Sequence, residues 1–172
     1  MEVHIQPMQA DDWPFVREIY IEGIATGDAT FETEAPEWVK WDAAHRRNCR
    51  VVARANSRVL GWAALSPVSS RRVYEGVAEV SVYVAAAARG MGVGKRLLES
   101  LVEESERNGI WTLQAGIFPE NLASIRLHEH CGFRRVGTRE CLGKMGNRWR
   151  DVLLMERRSR INHEGHEGAG ID

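Results

Sequence analysis

The run from Val77 to Asn108 constrains this chain more than any other stretch. It reads V-A-E-V-S-V-Y-V, then A-A-A-A, then R-G-M-G-V-G-K, then R-L-L-E-S-L-V-E-E-S-E-R-N. The first piece, rich in valine with a tyrosine and no breaker, is predicted as a strand. The last piece is predicted as a helix: Val93, Leu97, Leu98, Leu101 and Val102 form an apolar stripe at helical spacing, and Asn108-Gly109 supplies the stop. Strand period two puts Glu79, Ser81 and Tyr83 on one face, and Ala78, Val80, Val82 and Val84 on the other. The second face is continuously apolar and is expected to lie under a helix.

Between strand and helix lies a glycine-rich turn that opens directly into the helix. A helix start presents unpaired N–H groups and a partial positive charge. Gly90, Gly92 and Gly94 let an anion approach the backbone, with Met91 and Val93 between them, and Arg89, Lys95 and Arg96 add full charges. The physical expectation is a pyrophosphate cradle. It is not the nucleoside-triphosphate loop, because Gly94-Lys95 is followed by Arg96 and the position five before Gly94 is Arg89. It is not the dinucleotide fingerprint, whose third glycine would fall on Leu97.

The rest of the chain frames this unit. At 172 residues it fits one domain with a substantial core. A formal net charge of −1 gives no global pull toward nucleic acid or an anionic membrane. No apolar stretch approaches a membrane span and the N-terminus lacks a leader pattern, so a cytoplasmic protein is expected. Cys49, Cys131 and Cys141 form no C-x-x-C pair and are expected as reduced thiols, with no metal site. Val3 to Pro7 is predicted as a strand, residues 10–24 as a helix capped by Asp11 or Asp12, and 24–36 as a loop. Residues 38–47 follow as a helix, then a hairpin of strands 50–55 and 59–65, and a loop over 67–76. Beyond the central unit come a strand over 111–117, a helix from Pro119 to Gly132, and strands at 133–137 and 149–156 around a basic connection. Residues 1–158 are read as one α/β domain with a mixed sheet, and 159–172, with His163 and His166, as a disordered tail.

Four groups of side chains are candidates for chemistry. Glu79 is a carboxylate in an apolar strand, which costs free energy unless it faces water or a partner; it suits removal of a proton, or an ion pair with an arginine. Asn121, Ser124 and His128 share one helix face, where Asn121 and Ser124 can meet an amide-rich ligand and His128 can exchange a proton near neutral pH. Arg71 and Arg72, on the loop before the Glu79 strand, offer guanidinium forks for an oxyanion. Phe31, next to Glu32 in a loop of small residues, can wall a small-molecule pocket or anchor the loop to the core.

The segments T-F-E-T-E-A-P, V-A-E-V-S-V-Y-V, R-G-M-G-V-G, P-E-N-L-A-S-I-R-L-H-E-H-C-G-F and W-R-D-V together resemble the GNAT superfamily, and within it the phosphinothricin acetyltransferase family, which includes methionine sulfoximine and arsinothricin N-acetyltransferases. Arg89-x-x-Gly92-x-Gly94 is similar to that superfamily's coenzyme A signature, and the histidine at 128, where many GNAT enzymes carry tyrosine, matches the phosphinothricin group. The resemblance covers the first strand to about Arg158. It implies the GNAT fold, a mixed sheet of about seven strands flanked by helices and splayed to admit a pantetheine arm. It implies acetyl-CoA as co-substrate, held by Val82, Tyr83 and Val84, by the turn from Arg89 through Gly90, Met91, Gly92, Val93 and Gly94 to Lys95, and by Asn121 and Ser124. It implies Glu79 and His128 as proton-handling groups, with Phe31, Glu32, Arg71 and Arg72 near a small amino-acid-like substrate. Family members are generally homodimers. The expected reaction is direct attack of an α-amino group on the thioester. The alternatives are acetylation of a polyamine or a protein N-terminus, or an acyl-CoA-binding sensor without turnover.

Overall fold

The computed structural model describes residues 1–162. Its seven strands are β1 (His4–Pro7), β2 (Arg50–Ala55), β3 (Arg58–Pro67), β4 (Val77–Val84), β5 (Thr112–Ile117), β6 (Arg134–Met145) and β7 (Arg148–Arg158). Its helices are α1 (Trp13–Ala25), α2 (Trp38–Ala44), α3 (Val93–Arg107) and α4 (Leu122–His130). The strands form one sheet in the order β1-β2-β3-β4-β5-β7-β6. Every neighbouring pair is antiparallel except β4 and β5.

The sheet carries helices on both faces. On one, the stripe of α3 (Val93, Leu97, Leu98, Leu101) buries against Ala78 and Val80 of β4, Ala63 and Leu65 of β3, and Leu113 of β5. This is the helix expected above the apolar face of β4. On the other face, Trp13, Val16 and Ile19 of α1 join Trp41 of α2 over Val52, Trp62 and Ala64. Tyr83 stacks on Trp62 at 4.9 Å and 16°, and meets Tyr20 edge-on at 4.9 Å. The two faces of β4 therefore serve two different cores, as its period requires.

Several boundaries differ from expectation. Ala10–Asp12 is a separate 3₁₀ turn, because Pro14 starts a new helix. Asp12 does not cap that helix: its carboxylate accepts from Gln9 N–H at 2.9 Å and pairs with Arg54 at 2.5 Å. The loop before β4 contains a 3₁₀ turn at Arg72–Tyr74. The largest difference is β6, a twelve-residue strand where a short one and a long connection were expected. It lies at the sheet edge with nearly every residue exposed, so it lacks the apolar alternation by which strands are recognised. Register shifts at Arg135/Gly137 and Arg139/Gly143 break its period again. The chain past β7 remains fastened as far as Asn162: Ser159 N–H donates to the Trp111 carbonyl at 2.9 Å, and Asn162 Nδ2 to the carbonyls of Glu106 and Ile110. The remainder of the expected tail, 163–172, lies outside the described residues.

Candidate active site

The parallel seam between β4 and β5 is short. Only Val77–Thr112, Ala78–Leu113 and Glu79–Gln114 pair across it, although β4 runs on to Val84 and β5 to Ile117. Past Glu79 the strands part, and β5 continues alongside β7. Beyond the fork, one edge of β4 remains paired with β3 and the other is open. Ala85 N–H donates to the Leu60 carbonyl at 2.8 Å, so by antiparallel alternation Tyr83 and Ser81 direct their main-chain groups to β3. Val82 and Val84 direct theirs to the open edge, where the Val84 carbonyl accepts from Arg89 Nε at 3.3 Å.

The open edge borders a cavity of about 340 Å³. From β4 it takes Glu79, Val80, Ser81, Val82 and Tyr83; from the end of β5 and just beyond, Ala115 to Phe118. Asn121, Ser124 and His128 of the fourth helix and its cap face it, as do Ala29, Thr30 and Phe31 of the loop after α1. Leu142 and Val152 close the side toward β6 and β7. The ionisable side chains in this lining are Glu79, Tyr83 and His128.

Glu79 is half-buried at the fork. Its Oε1 accepts from Gln114 Nε2 at 3.4 Å, and among the described residues it forms no ion pair. At Gly116, on the facing strand, a Cβ would press on Val152 at 3.2 Å while standing 4.0 Å from Oε1, an ordinary contact.

His128 is 4% exposed, with Phe133 edge-on at 5.1 Å. Its Nδ1 lies 2.7 Å from the Ser124 carbonyl and must carry the proton to make that bond. The neutral ring therefore keeps its lone pair on Nε2. Burial lowers its pKa from 6.5, and the Ser124 bond only partly opposes the shift. A neutral imidazole with an available acceptor is the resting form at pH 7. Burial also pushes the Tyr83 phenol above its usual range, its neighbour Tyr20 adds to the rise, and the Thr30 hydroxyl opposes it.

Asn121 caps α4, accepting from Ser124 N–H at 3.2 Å, while its Nδ2 donates to the Asp28 carbonyl at 3.1 Å. Phe31 packs edge-on against Phe118 at 4.9 Å, with its ring over Gly143 of β6. A Cβ at 143 would come within 2.6 Å of that ring, so the close approach requires glycine.

A short 3₁₀ turn at Ala86–Ala88 leads from β4 into the glycine turn. Gly90 and Gly92 have φ of 76° and 78°, and Gly92 is the N-cap of α3, so left-handed backbone delivers the chain into the helix. Gly94 instead faces Leu127 and Val84, whose side chains a Cβ would approach to 3.3 and 3.4 Å. Met91 is exposed, and Lys95 pairs with Glu99 at 3.6 Å on the surface. Thus the cavity lining includes Phe31, Glu79, Val82, Tyr83, Asn121, Ser124 and His128, whereas Val84 and residues 89–95 adjoin its open edge in sequence and do not line it.

Glu32, Arg71 and Arg72 do not line the cavity either. Glu32 is exposed, and its N–H donates to Thr30 Oγ1 at 3.1 Å. Arg71 and Arg72 stand on an exposed loop, Arg71 over the Tyr74 ring at 5.6 Å. The buried guanidinium near the cavity is Arg150 of β7, which the sequence reading did not single out. It lies 3.9 Å above Phe118 and binds Gly27 and Asp28. One signal was present: Arg150 occupies the same strand face as Val152, so a charge stands at an inward position.

The family model described as "Acetyltransferase (GNAT) family" matches residues 10–133. The phosphinothricin N-acetyltransferase of Streptomyces coelicolor is 34% identical over 91% of this chain and 96% of that protein. The L-methionine sulfoximine/L-methionine sulfone acetyltransferase of Pseudomonas aeruginosa is 29% identical over 91% and 94%. Among solved structures, a GNAT superfamily phosphinothricin acetyltransferase from Sinorhizobium meliloti in complex with AcCoA superposes with a TM-score of 0.82, at 30% identity over 92% of this chain and 89% of that one. A ribosomal-protein-alanine N-acetyltransferase from Brucella melitensis gives 0.85, at 31% identity over 91% and 99%.

Proposed function

The chain belongs to the GNAT acetyltransferase family, and on that premise we propose that it carries the acetyl group of acetyl-CoA to the α-amino group of a small amino-acid-like acid of phosphinothricin, methionine sulfoximine or arsinothricin type. One observation carries the reading: past Glu79, the edge of β4 turned away from β3 has no strand partner among the described residues, and it leads into a cavity holding a neutral imidazole and a carboxylate that forms no ion pair among those residues. In this reading the pantetheine arm lies along the open edge as a short extra strand, bonded to main-chain groups of Val82 and Val84 beside Tyr83. Arg89, Gly90, Met91, Gly92, Val93, Gly94 and Lys95 hold the pyrophosphate at the start of α3, and Asn121 and Ser124 face the arm from α4.

The acyl end then reaches the fork beside Glu79. An ammonium substrate must lose a proton before it attacks. Glu79 accepts that proton directly or through water, and His128, neutral with Nε2 available, is a second acceptor. The amine nitrogen bonds to the thioester carbonyl carbon, the C–S bond breaks, and the thiolate leaves as coenzyme A after taking up a proton. Phe31 walls the acceptor side, with Glu32, Arg71 and Arg72 at its approaches. The enzyme works in the cytoplasm as a homodimer in this reading. The edge strand β6 supports the dimer: among the described residues its outer main-chain edge has no strand partner, and Val136 and Leu142 are exposed beside Trp149 of β7.

The likeness to the ribosomal-protein-alanine enzyme favours a second acceptor class, a protein N-terminus. Thiol release from acetyl-CoA with a panel of phosphinothricin, methionine sulfoximine, arsinothricin, spermidine and an alanine-terminated peptide separates the classes. Turnover of the amino-acid-like acids is expected. Release only with the peptide or spermidine moves the acceptor class. Coenzyme A binding with no release from any amine replaces the enzyme with an acyl-CoA sensor.

A further inference from the structure

Arg150 is 2% exposed, yet it does not line the cavity. Its Nη1 donates to the Gly27 carbonyl at 2.9 Å and to Met145 Sδ at 3.5 Å. Its Nη2 donates to Asp28 Oδ1 at 2.8 Å and Glu120 Oε2 at 3.3 Å. The guanidinium carbon stands 3.9 Å from the centre of the Phe118 ring, against which Phe31 packs edge-on. Burying a guanidinium is costly, and an apolar side chain of similar size would fill the space without that penalty. What an apolar side chain cannot do is join three separate backbone segments at fixed distances.

We propose that Arg150 is a positioning residue that locks the 27–31 loop to the start of α4, setting the acceptor wall in register with His128. This rests on the proposed acceptor chemistry. The loop's contribution to the cavity is Ala29, Thr30 and Phe31, immediately after the two residues that Arg150 grips. Glu120 directly precedes Asn121, the cap of the helix carrying His128, and Asn121 Nδ2 binds the same loop at the Asp28 carbonyl. One guanidinium thus ties the wall that would meet the acceptor to the helix that would move its proton. Arg148, on the same strand, reaches Glu120 only at 3.7 Å and is exposed, so it is no substitute.

The test combines steady-state kinetics with hydrogen exchange on Arg150→Met, Arg150→Lys and Asp28→Ala. The last alters a half-exposed carboxylate and remains informative if Arg150→Met does not fold. In Arg150→Met, amide exchange over residues 26–32 is expected to accelerate while α3 stays protected, and KM for the acceptor amine to rise about tenfold or more with kcat and coenzyme A affinity little changed. Asp28→Ala should shift both readouts in the same direction by less, and Arg150→Lys, which keeps the charge without the fork, should fall between wild type and Arg150→Met. Unchanged exchange over 26–32 in both Arg150→Met and Asp28→Ala overturns the lock, whether or not any amine is acetylated. Faster exchange with an unchanged acceptor KM overturns its part in acceptor binding. Failure of the wild-type protein to acetylate any amine in the panel overturns the proposed function itself, and the acceptor half of this inference with it.

Discussion

His128 Nδ1 lies 2.7 Å from the carbonyl oxygen of Ser124, one turn back along α4. That bond fixes the tautomer, and burial keeps the ring neutral by lowering its pKa from 6.5. If Nε2 accepts a proton during turnover, kcat/KM should hold steady through neutral pH and fall as acid protonates His128, below the ordinary histidine range. His128→Phe should reduce kcat about 100-fold and abolish that limb. A pH–rate profile of the two proteins decides it; an acid limb that survives in the variant belongs to another group.

The same shift has a consequence for stability. His45, stacked on Trp41 at 4.1 Å, is also lowered from 6.5 by burial. Both histidines bind a proton more readily unfolded than folded. Between their lowered folded values and 6.5 the unfolded state holds more protons, so stability should rise with pH across that window and flatten above it. Urea midpoints at pH 5.5 and 7.5 should show the acid sample less stable, and a double variant without both rings should lose part of the difference.

Glu79 takes only a long hydrogen bond from Gln114, so it is not engaged in holding the fold as a paired carboxylate would be. Glu79→Gln retains the shape and removes the proton acceptor. Its kcat should fall by about two orders of magnitude or more while calorimetry gives an unchanged affinity for coenzyme A. An unaltered rate would leave His128 or solvent as the base.

The reach of sequence reasoning differs sharply along this chain. The β4–turn–α3 unit was legible because three local signals agree: period two, left-handed glycines and a helical stripe. Asn121, Ser124 and His128 were legible as a face because helix geometry fixes their relative directions. The parting of β4 from β5 was not legible from periodicity, since a strand keeps its period whether or not a neighbour is paired. Only the family resemblance suggested it. Arg150 and Asp28 lie 122 positions apart, and nothing local in either segment announces the other. For the same reason Arg71 and Arg72, attractive as guanidinium groups beside the Glu79 strand, gave no indication that their loop stays outside the cavity.

Gly92 offers a test of the cradle by backbone alone. A Cβ there would touch nothing within 4 Å, but its φ of +78° is unfavourable for any side chain. Gly92→Ala should cost about 1 kcal/mol of stability, the ordinary penalty for a left-handed non-glycine residue. If the turn presents its N–H groups to a pyrophosphate, coenzyme A affinity should drop about tenfold or more as the turn relaxes. Affinity that stays level while stability falls would place the pyrophosphate elsewhere.

Gly143 and Phe31 form the other testable contact. A Cβ at 143 would intrude on the Phe31 ring at 2.6 Å, and the ring is the movable partner because it is 37% exposed. Gly143→Ala should therefore displace Phe31 with little loss of stability, within about 1 kcal/mol. Its effect should fall on the acceptor wall, changing KM for the amine without changing that for acetyl-CoA. In a Phe31→Ala background the alanine at 143 has no ring to displace, so its kinetic effect should vanish. A double-mutant cycle on acceptor KM measures the coupling between the two positions. Additive effects would mean that Phe31 does not form the wall assigned to it, and that Gly143 acts on the acceptor by another route.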